Sequence, residues 1–218
     1  MSLAIGIDVR DPYDPAIAGL VREAAASAGV ATPPRIVTRG AAAALAEQWC
    51  GAARGARYVV ALAVDECVYA GIAIDGRPFE GAYGLAGAAG WLALNPVERE
   101  DYRRYGCLEA EIGTAGIGRR LVWRIKAGDR SRVLDAAGGD LTAITAAQVF
   151  DGARSGDGVA ISVIRDTARY IGMAIANLVA AADLLLEPSR VEASRRLPTR
   201  AAFLATDPDA TPATIPGA

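Results

Sequence analysis

The segment LAIGIDV (3–9) is apolar except at its glycine and Asp8, the mark of a buried strand. Asp14-Pro15 then predicts a helix start, with Asp as N-cap and Pro at the first helical position. Ile17, Leu20, Val21, Ala24, Ala25 and Ala28 form one apolar stripe, ended by Gly29. RIVT (35–38) predicts a short strand, and the alanine-rich 40–53 a helix closed near Gly55. In VVALAVDECVYAGIAIDGR (59–77), two apolar runs flank Asp65-Glu66-Cys67. They predict strands at 58–64 and 67–74, with Asp75-Gly76 as a two-residue hairpin turn.

Glycine-rich GAYGLAGAAG (81–90) reads as a loop, WLALNP (91–96) as a strand, and charged VEREDYRRY (97–105) as an exposed segment. Helix is expected from about 108 onward. Thr145 with Gln148 predicts a capping box for a helix at 146–154. A long helix follows at 158–182, with Val159, Ile161, Ile164, Ala168, Ile171, Ile175, Leu178 and Val179 at mainly helical spacing. A last helix is expected at 189–197, and the tail 206–218 is expected to fray. With strands in the first half and helices in the second, the pattern predicts a mixed α/β fold, helices packed over a sheet. No internal repeat is present.

The chain has 218 residues and is 52% hydrophobic, enough for one large domain or two small ones. Its net charge of −2 gives no basic surface, so direct nucleic-acid binding is not expected. No apolar run reaches the roughly 18 residues that span a bilayer. The opening strand is too short, and too soon followed by charge, for a secretory signal. A soluble, cytoplasmic protein is expected. Cys50, Cys67 and Cys107 are far apart and odd in number, so reduced thiols are the default.

Histidine is absent. That removes Ser-His-Asp and Cys-His nucleophiles, HExxH metal sites and any histidine base. Acid-base chemistry would fall mostly to Asp, Glu, Lys, Tyr or Cys. Lys126 is the sole lysine among 23 basic residues. GTAGIG (113–118) offers glycines for an anion but lacks the Lys-Ser/Thr of a P-loop, and reads as a helix start. Asp65-Glu66 is either a carboxylate pair for a metal or proton, or a polar turn. Neighbours in extended chain face opposite ways, which favours the turn. Cys67 has no adjacent cation to lower its pKa and reads as a small buried residue. Trp91 reads as core or pocket wall.

One series of motifs goes further. Asp75-Gly76, Gly81, Gly84, Ala86-Gly87, Gly90, Gly106-Cys107-Leu108-Glu109, Leu141-Thr142, Gly156-Asp157 and Ala176-Asn177-Leu178-Val179 resemble, in order and spacing, the landmarks of the ROK family of bacterial sugar kinases and sugar-responsive repressors. The resemblance runs from about residue 30 to 182. It implies an actin-like, ribonuclease-H-like α/β lobe, a mixed sheet with packed helices: a single domain over 1–205, then a flexible tail, 206–218.

The departures carry the functional expectation. The family's catalytic aspartate falls on Arg39, whose guanidinium cannot accept a proton. Its glycine phosphate loop falls on Asp65-Glu66-Cys67-Val68-Tyr69, where two carboxylates repel a triphosphate. Its sugar-binding Glu falls on Ala88, its His on Trp91, and its first two zinc cysteines on Glu100 and Tyr102, leaving only Cys107. Of the sugar-contacting side chains Glu109 alone is matched, while Trp91 either stacks on a sugar or plugs the pocket. The family's N-terminal lobe with its D-x-G-G-T motif, of which GIDVRD (6–11) is a weak echo, and its late G-G nucleotide loop are also expected to be missing from this sequence.

The expectation is therefore a catalytically inactive ROK-like domain: a regulatory, sugar-sensing or assembly module that forms homo-oligomers. Its site candidates are Glu109 and Trp91 for a small sugar, and Asp65, Glu66 and Cys67 as a former phosphate loop, with neither zinc nor cofactor. One alternative is an ATP-dependent hexose kinase, with ATP and Mg²⁺ and a base shifted to Asp65 or Glu66. The other is a subunit of a sugar-responsive transcriptional regulator.

Overall fold

A computed structural model of the chain describes residues 4–7, 15–30 and 35–184. The expected cap Asp14, the helix at 189–197 and the tail lie outside the described residues. Contacts divide the chain into two compact units. Unit 1 comprises 1–62, 70–87 and 182–218; unit 2 comprises 63–69 and 88–181.

Unit 1 begins with strand β1 (Ala4–Ile7), helix α1 (Pro15–Ser27) and strand β2 (Arg35–Thr38), the last matching the RIVT segment. β1 and β2 are parallel, in register from Ala4↔Arg35 to Ile7↔Thr38, so α1 is their crossover. Helix α2 (Arg39–Cys50) follows at once, because the Thr38 hydroxyl accepts the Ala41 N–H at 3.2 Å and caps the first turn. The chain continues through strands β3 (Tyr58–Val64), β4 (Val68–Ile74) and β5 (Arg77–Pro78), hydrogen-bonded in that order. β4 and β5 are antiparallel, pairing Ile74 with Arg77 across the Asp75-Gly76 turn. Both turn residues have positive φ (50° and 75°), as the primed two-residue hairpin requires.

The core of unit 1 is built from small residues: Ala44, Ala53, Val59, Ala61 and Ala73. Small side chains let backbones approach. A Cβ at Gly40 would overlap the Ala70 carbonyl, and one at Gly71 would overlap the Gly40 carbonyl. The start of α2 thus lies directly on β4.

Unit 2 is helical. A 3₁₀ turn at Ala89–Trp91 leads to helices α3 (Glu100–Tyr105), α4 (Cys107–Ile112), α5 (Thr114–Lys126) and α6 (Arg132–Ala136). A second 3₁₀ turn (Leu141–Ala143) precedes α7 (Ala146–Arg154) and α8 (Gly158–Leu184). The capping box at the start of α7 is present as the sequence predicts, Thr145 to Gln148. The GTAGIG segment opens α5. Two expectations fail. WLALNP is no strand: a 3₁₀ turn ends at Trp91 and no regular element follows before α3. The segment 97–105 is not uniformly exposed, because α3 buries Tyr102. WLALNP carries an apolar run of only four residues, too short for periodicity to decide the matter, and Pro96 removes a ladder donor. The core gathers Ile117, Leu121, Val133, Ile144, Val149 and Val163 from α5 to α8.

Candidate functional site

The hairpin loop Asp65–Cys67 joins β3 to β4 and belongs to unit 2. All three residues are exposed, Cys67 among them, so the expectation of a buried thiol is corrected. The loop is tied down on both sides. Asp65 donates its N–H to the Cys67 carbonyl at 3.2 Å. Its own carbonyl accepts the Thr114 N–H at 3.1 Å and the Thr114 hydroxyl at 2.9 Å. The Val68 N–H is donated to Glu109 Oε2 at 3.1 Å. A phosphate cradle works by aiming backbone N–H groups at one anion. Here the N–H groups of Asp65 and Val68 are spent inside the protein, and the Asp65 and Glu66 carboxyls stand beside them.

Glu109 sits half-buried on α4. A Cβ at Gly90 would lie 3.2 Å from its Oε2, so the glycine lets the 3₁₀ turn settle against the carboxylate. Glu109 therefore joins the root of β4, the 3₁₀ turn and α4. Trp91, one residue on, is 60% exposed. It walls a shallow pocket together with Asn95, Tyr102 and Cys107. Asp65, Glu66, Cys67, Glu109 and Trp91 all lie in unit 2, whereas Arg39 is in unit 1. Arg39 is the first residue of α2, where a cation opposes the helix dipole.

Beside this site lies a buried charge network that the sequence reading missed. Glu111 is 1% exposed. Its Oε1 accepts the Tyr102 hydroxyl and, at 3.1 Å, an Arg99 N–H. Its Oε2 faces Arg120 Nε at 3.1 Å. Arg120 also donates to the Glu111 backbone carbonyl at 3.1 Å and to Thr167 Oγ1 on α8 at 2.9 Å. Burial, then the bond to Glu111, pushes the Tyr102 hydroxyl pKa well above its usual value. The signal lay in CLEAEI: residues i and i+2 on a helix do not share a face, so Glu109 and Glu111 cannot both look toward the same surroundings. Of the three positions that stand at the family's zinc cysteines, Glu100 is exposed, Tyr102 serves Glu111, and Cys107 is buried. Among the described residues no cluster of three or more Cys, Asp or Glu is placed to hold a metal ion.

Comparison with known proteins places the chain. The ROK family pattern matches residues 24–186, and the chain belongs to the ROK family. A glucokinase of Halalkalibacterium halodurans is 32% identical over 154 residues, covering 68% of this chain and 44% of that protein. The DNA-binding transcriptional dual regulator NagC of Escherichia coli K12 is 33% identical over 134 residues, covering 61% of this chain and 32% of its own length. Among solved structures, a ROK hexokinase from Thermus thermophilus superposes with a TM-score of 0.60 at 27% identity, over 73% of this chain and half of that one. The fold is thus the α/β, actin-like fold of the ROK sugar kinases. The chain spans a third to a half of the length of these relatives. Among the described residues no helix is long and apolar enough to cross a membrane.

Proposed function

We propose that this chain is a catalytically inactive ROK domain that responds to a small sugar and acts as a regulatory module. The observation that carries this reading is the hairpin at Asp65–Cys67. Its Asp65 and Val68 N–H groups are committed to Cys67 and Glu109, and two carboxylates stand where a nucleotide's phosphates would need donors. Arg39 at the family's base position adds to it, since a guanidinium does not take up a proton. Zinc and ATP have no part in this function. Self-association belongs to the same proposal, supported by the exposed Met173 and Val179 on α8. Direct contact with DNA does not belong to it, because the chain is net acidic.

The test pairs two measurements on the whole chain. An ATP-Mg²⁺ coupled assay with glucose and N-acetylglucosamine is expected to give no turnover above blank. Thermal unfolding is expected to shift upward with sugar and not with ATP-Mg²⁺, because a ligand that binds only the folded state raises its melting temperature. Phosphoryl transfer that disappears in Asp65→Asn or Glu66→Gln would make the chain a kinase and overturn the reading.

A further inference from the structure

β3 stands at one edge of its sheet, with β4 as its one neighbour among the described strands. Two bonds fix which backbone groups that edge presents. The Asp75 N–H is donated to the Arg57 carbonyl at 2.7 Å, and the Asp65 N–H to the Cys67 carbonyl at 3.2 Å. Both belong to one antiparallel register, with Arg57 opposite Asp75 and Asp65 opposite Cys67. Along such a strand every second residue bonds its neighbour, and each residue aims its N–H and C=O the same way. Val59, Ala61 and Ala63 therefore face β4, while Tyr58, Val60, Leu62 and Val64 aim their N–H and C=O at the open edge.

Edge strands are ordinarily blunted by lysine, proline, a bulge or an inward-pointing charge. YVVALAV (58–64) has no charge and no proline, and one register holds at both its ends, so it has no bulge. An apolar run on both faces is the pattern of an interior strand. Val59 and Ala61 join the alanine core, whereas Tyr58, Val60 and Leu62 are half-buried. Charge enters at the two ends: Arg57 before the strand, Asp65 and Glu66 after it. A second β3 laid parallel would set arginine beside arginine and carboxylate beside carboxylate. Laid antiparallel about Ala61, it pairs Tyr58 with Val64 and Val60 with Leu62, the residues that face the open edge. The same register sets each Arg57 opposite the other copy's Asp65. Arg57 already binds Asp75 at 2.8 Å, but its side chain is 60% exposed and a guanidinium has five N–H donors.

We propose that the open edge of β3 pairs with the β3 of a second copy, antiparallel and centred on Ala61, so that two three-stranded sheets become one. The pairing is symmetric and closes at two chains. Main-chain bonds supply the affinity, and the charged ends set direction and register. The inference rests on the self-association proposed above and adds to it an interface separate from Met173 and Val179 of α8.

Sedimentation equilibrium on the whole chain tests it, and a monomer–dimer equilibrium is expected. Val60→Pro removes an N–H that β4 does not use, so the β3–β4 ladder is kept. It should raise the dimer dissociation constant at least tenfold, one backbone bond being lost on each side of the axis. Arg57→Glu should raise it several-fold by setting like charges opposite each other, and adding Asp65→Arg should bring it back. Arg154→Gln, in an exposed ion pair on α7, should leave it unchanged. Circular dichroism checks folding, and if Val60→Pro fails to fold the charge swap decides alone. A second change that restores nothing overturns the antiparallel register. A dimer that every β3 variant leaves intact and Val179→Asp abolishes overturns the inference and leaves self-association standing. A chain that stays monomeric at every concentration overturns both, and slow hydrogen exchange at the Val60 and Leu62 amides of that monomer would assign the edge to another stretch of the same chain.

Discussion

Unit 1 packs Ala44, Ala53, Ala61 and Ala73 around Val59, while unit 2 packs Ile117, Leu121, Val133, Val149 and Val163 and then sinks a carboxylate among arginines. In the first, stability depends on how closely backbones meet, and the contact of Gly40 with Gly71 sets that distance. In the second, side chains fill the space, and Glu111 must be balanced by Arg99, Arg120 and Tyr102. The two units should therefore fail in opposite ways. Unit 1 should fail when atoms are added, unit 2 when a partner is taken away.

The sharpest break is Glu111→Ala. It leaves the Arg120 guanidinium, whose side chain is 9% exposed, with Asp166 at 3.5 Å as its remaining acidic partner. Breaking a buried pair by removing one member costs about 3–5 kcal/mol. Denaturant unfolding should show that loss, whereas Glu98→Ala, in an exposed pair, should leave the midpoint where it was. A Glu111→Ala protein as stable as its parent would mean that the network contributes nothing and that unit 2 rests on its aliphatic core alone.

Gly71→Ala probes the other unit. Its Cβ would overlap the Gly40 carbonyl and crowd the Ala41 nitrogen, both of them backbone and unable to rotate away. Overpacking of this kind costs about 1–3 kcal/mol. Hydrogen exchange should quicken first in α2 and β4. A neutral substitution would show that α2 slides freely on the sheet and that close approach is not what holds unit 1.

How much of this was legible in the sequence follows from the range of the forces involved. RIVT, the strand at 58–64, the Asp75-Gly76 turn, the Thr145 capping box and the long α8 are fixed by neighbours a few residues apart, and each stands where the pattern puts it. WLALNP was misread because its apolar run is only four residues long, while the 3₁₀ turn that ends at its Trp91 rests against Glu109 of α4. Cys67 was misread because an apolar stretch suggested burial, while the loop's exposure is set by where β3 turns. Family landmarks pointed to Glu109 and to the departures at Arg39 and Asp65–Cys67. They gave no sign that the Glu109 carboxylate holds a backbone N–H, a contact spanning 41 positions. For Glu111 the CLEAEI spacing separated it from Glu109 but named no partner: those are Arg99, Tyr102 of α3 and Arg120 of α5, with Thr167 of α8 behind Arg120.

The smallest expected effect tests whether unit 2 uses buried charge as a general device. Asp157 is 4% exposed and caps two helices at once. Its Oδ1 accepts the Ala160 N–H of α8 at 2.8 Å. Its Oδ2 accepts the Arg132 N–H of α6 at 2.7 Å and the Ser131 hydroxyl at 3.0 Å. Burial works to raise the pKa of this carboxyl, but the bonds from Ala160, Arg132 and Ser131 outweigh it and hold the value below the ordinary range. A depressed folded value contributes stability above the unfolded-state pKa, about 3.9, and that stability is lost as pH falls through the folded value. Asn at this position still caps Ala160, and the serine hydroxyl can turn to accept from its amide, but the Arg132 N–H then faces another donor. Asp157→Asn should cost about 1 kcal/mol at pH 7. In thermal unfolding from pH 7 to pH 3, the gap between parent and variant should stay constant down to about pH 5 and then close. A gap that does not narrow at all between pH 5 and pH 3 would assign the loss to geometry rather than to charge, and would confine the buried-charge device in unit 2 to Glu111.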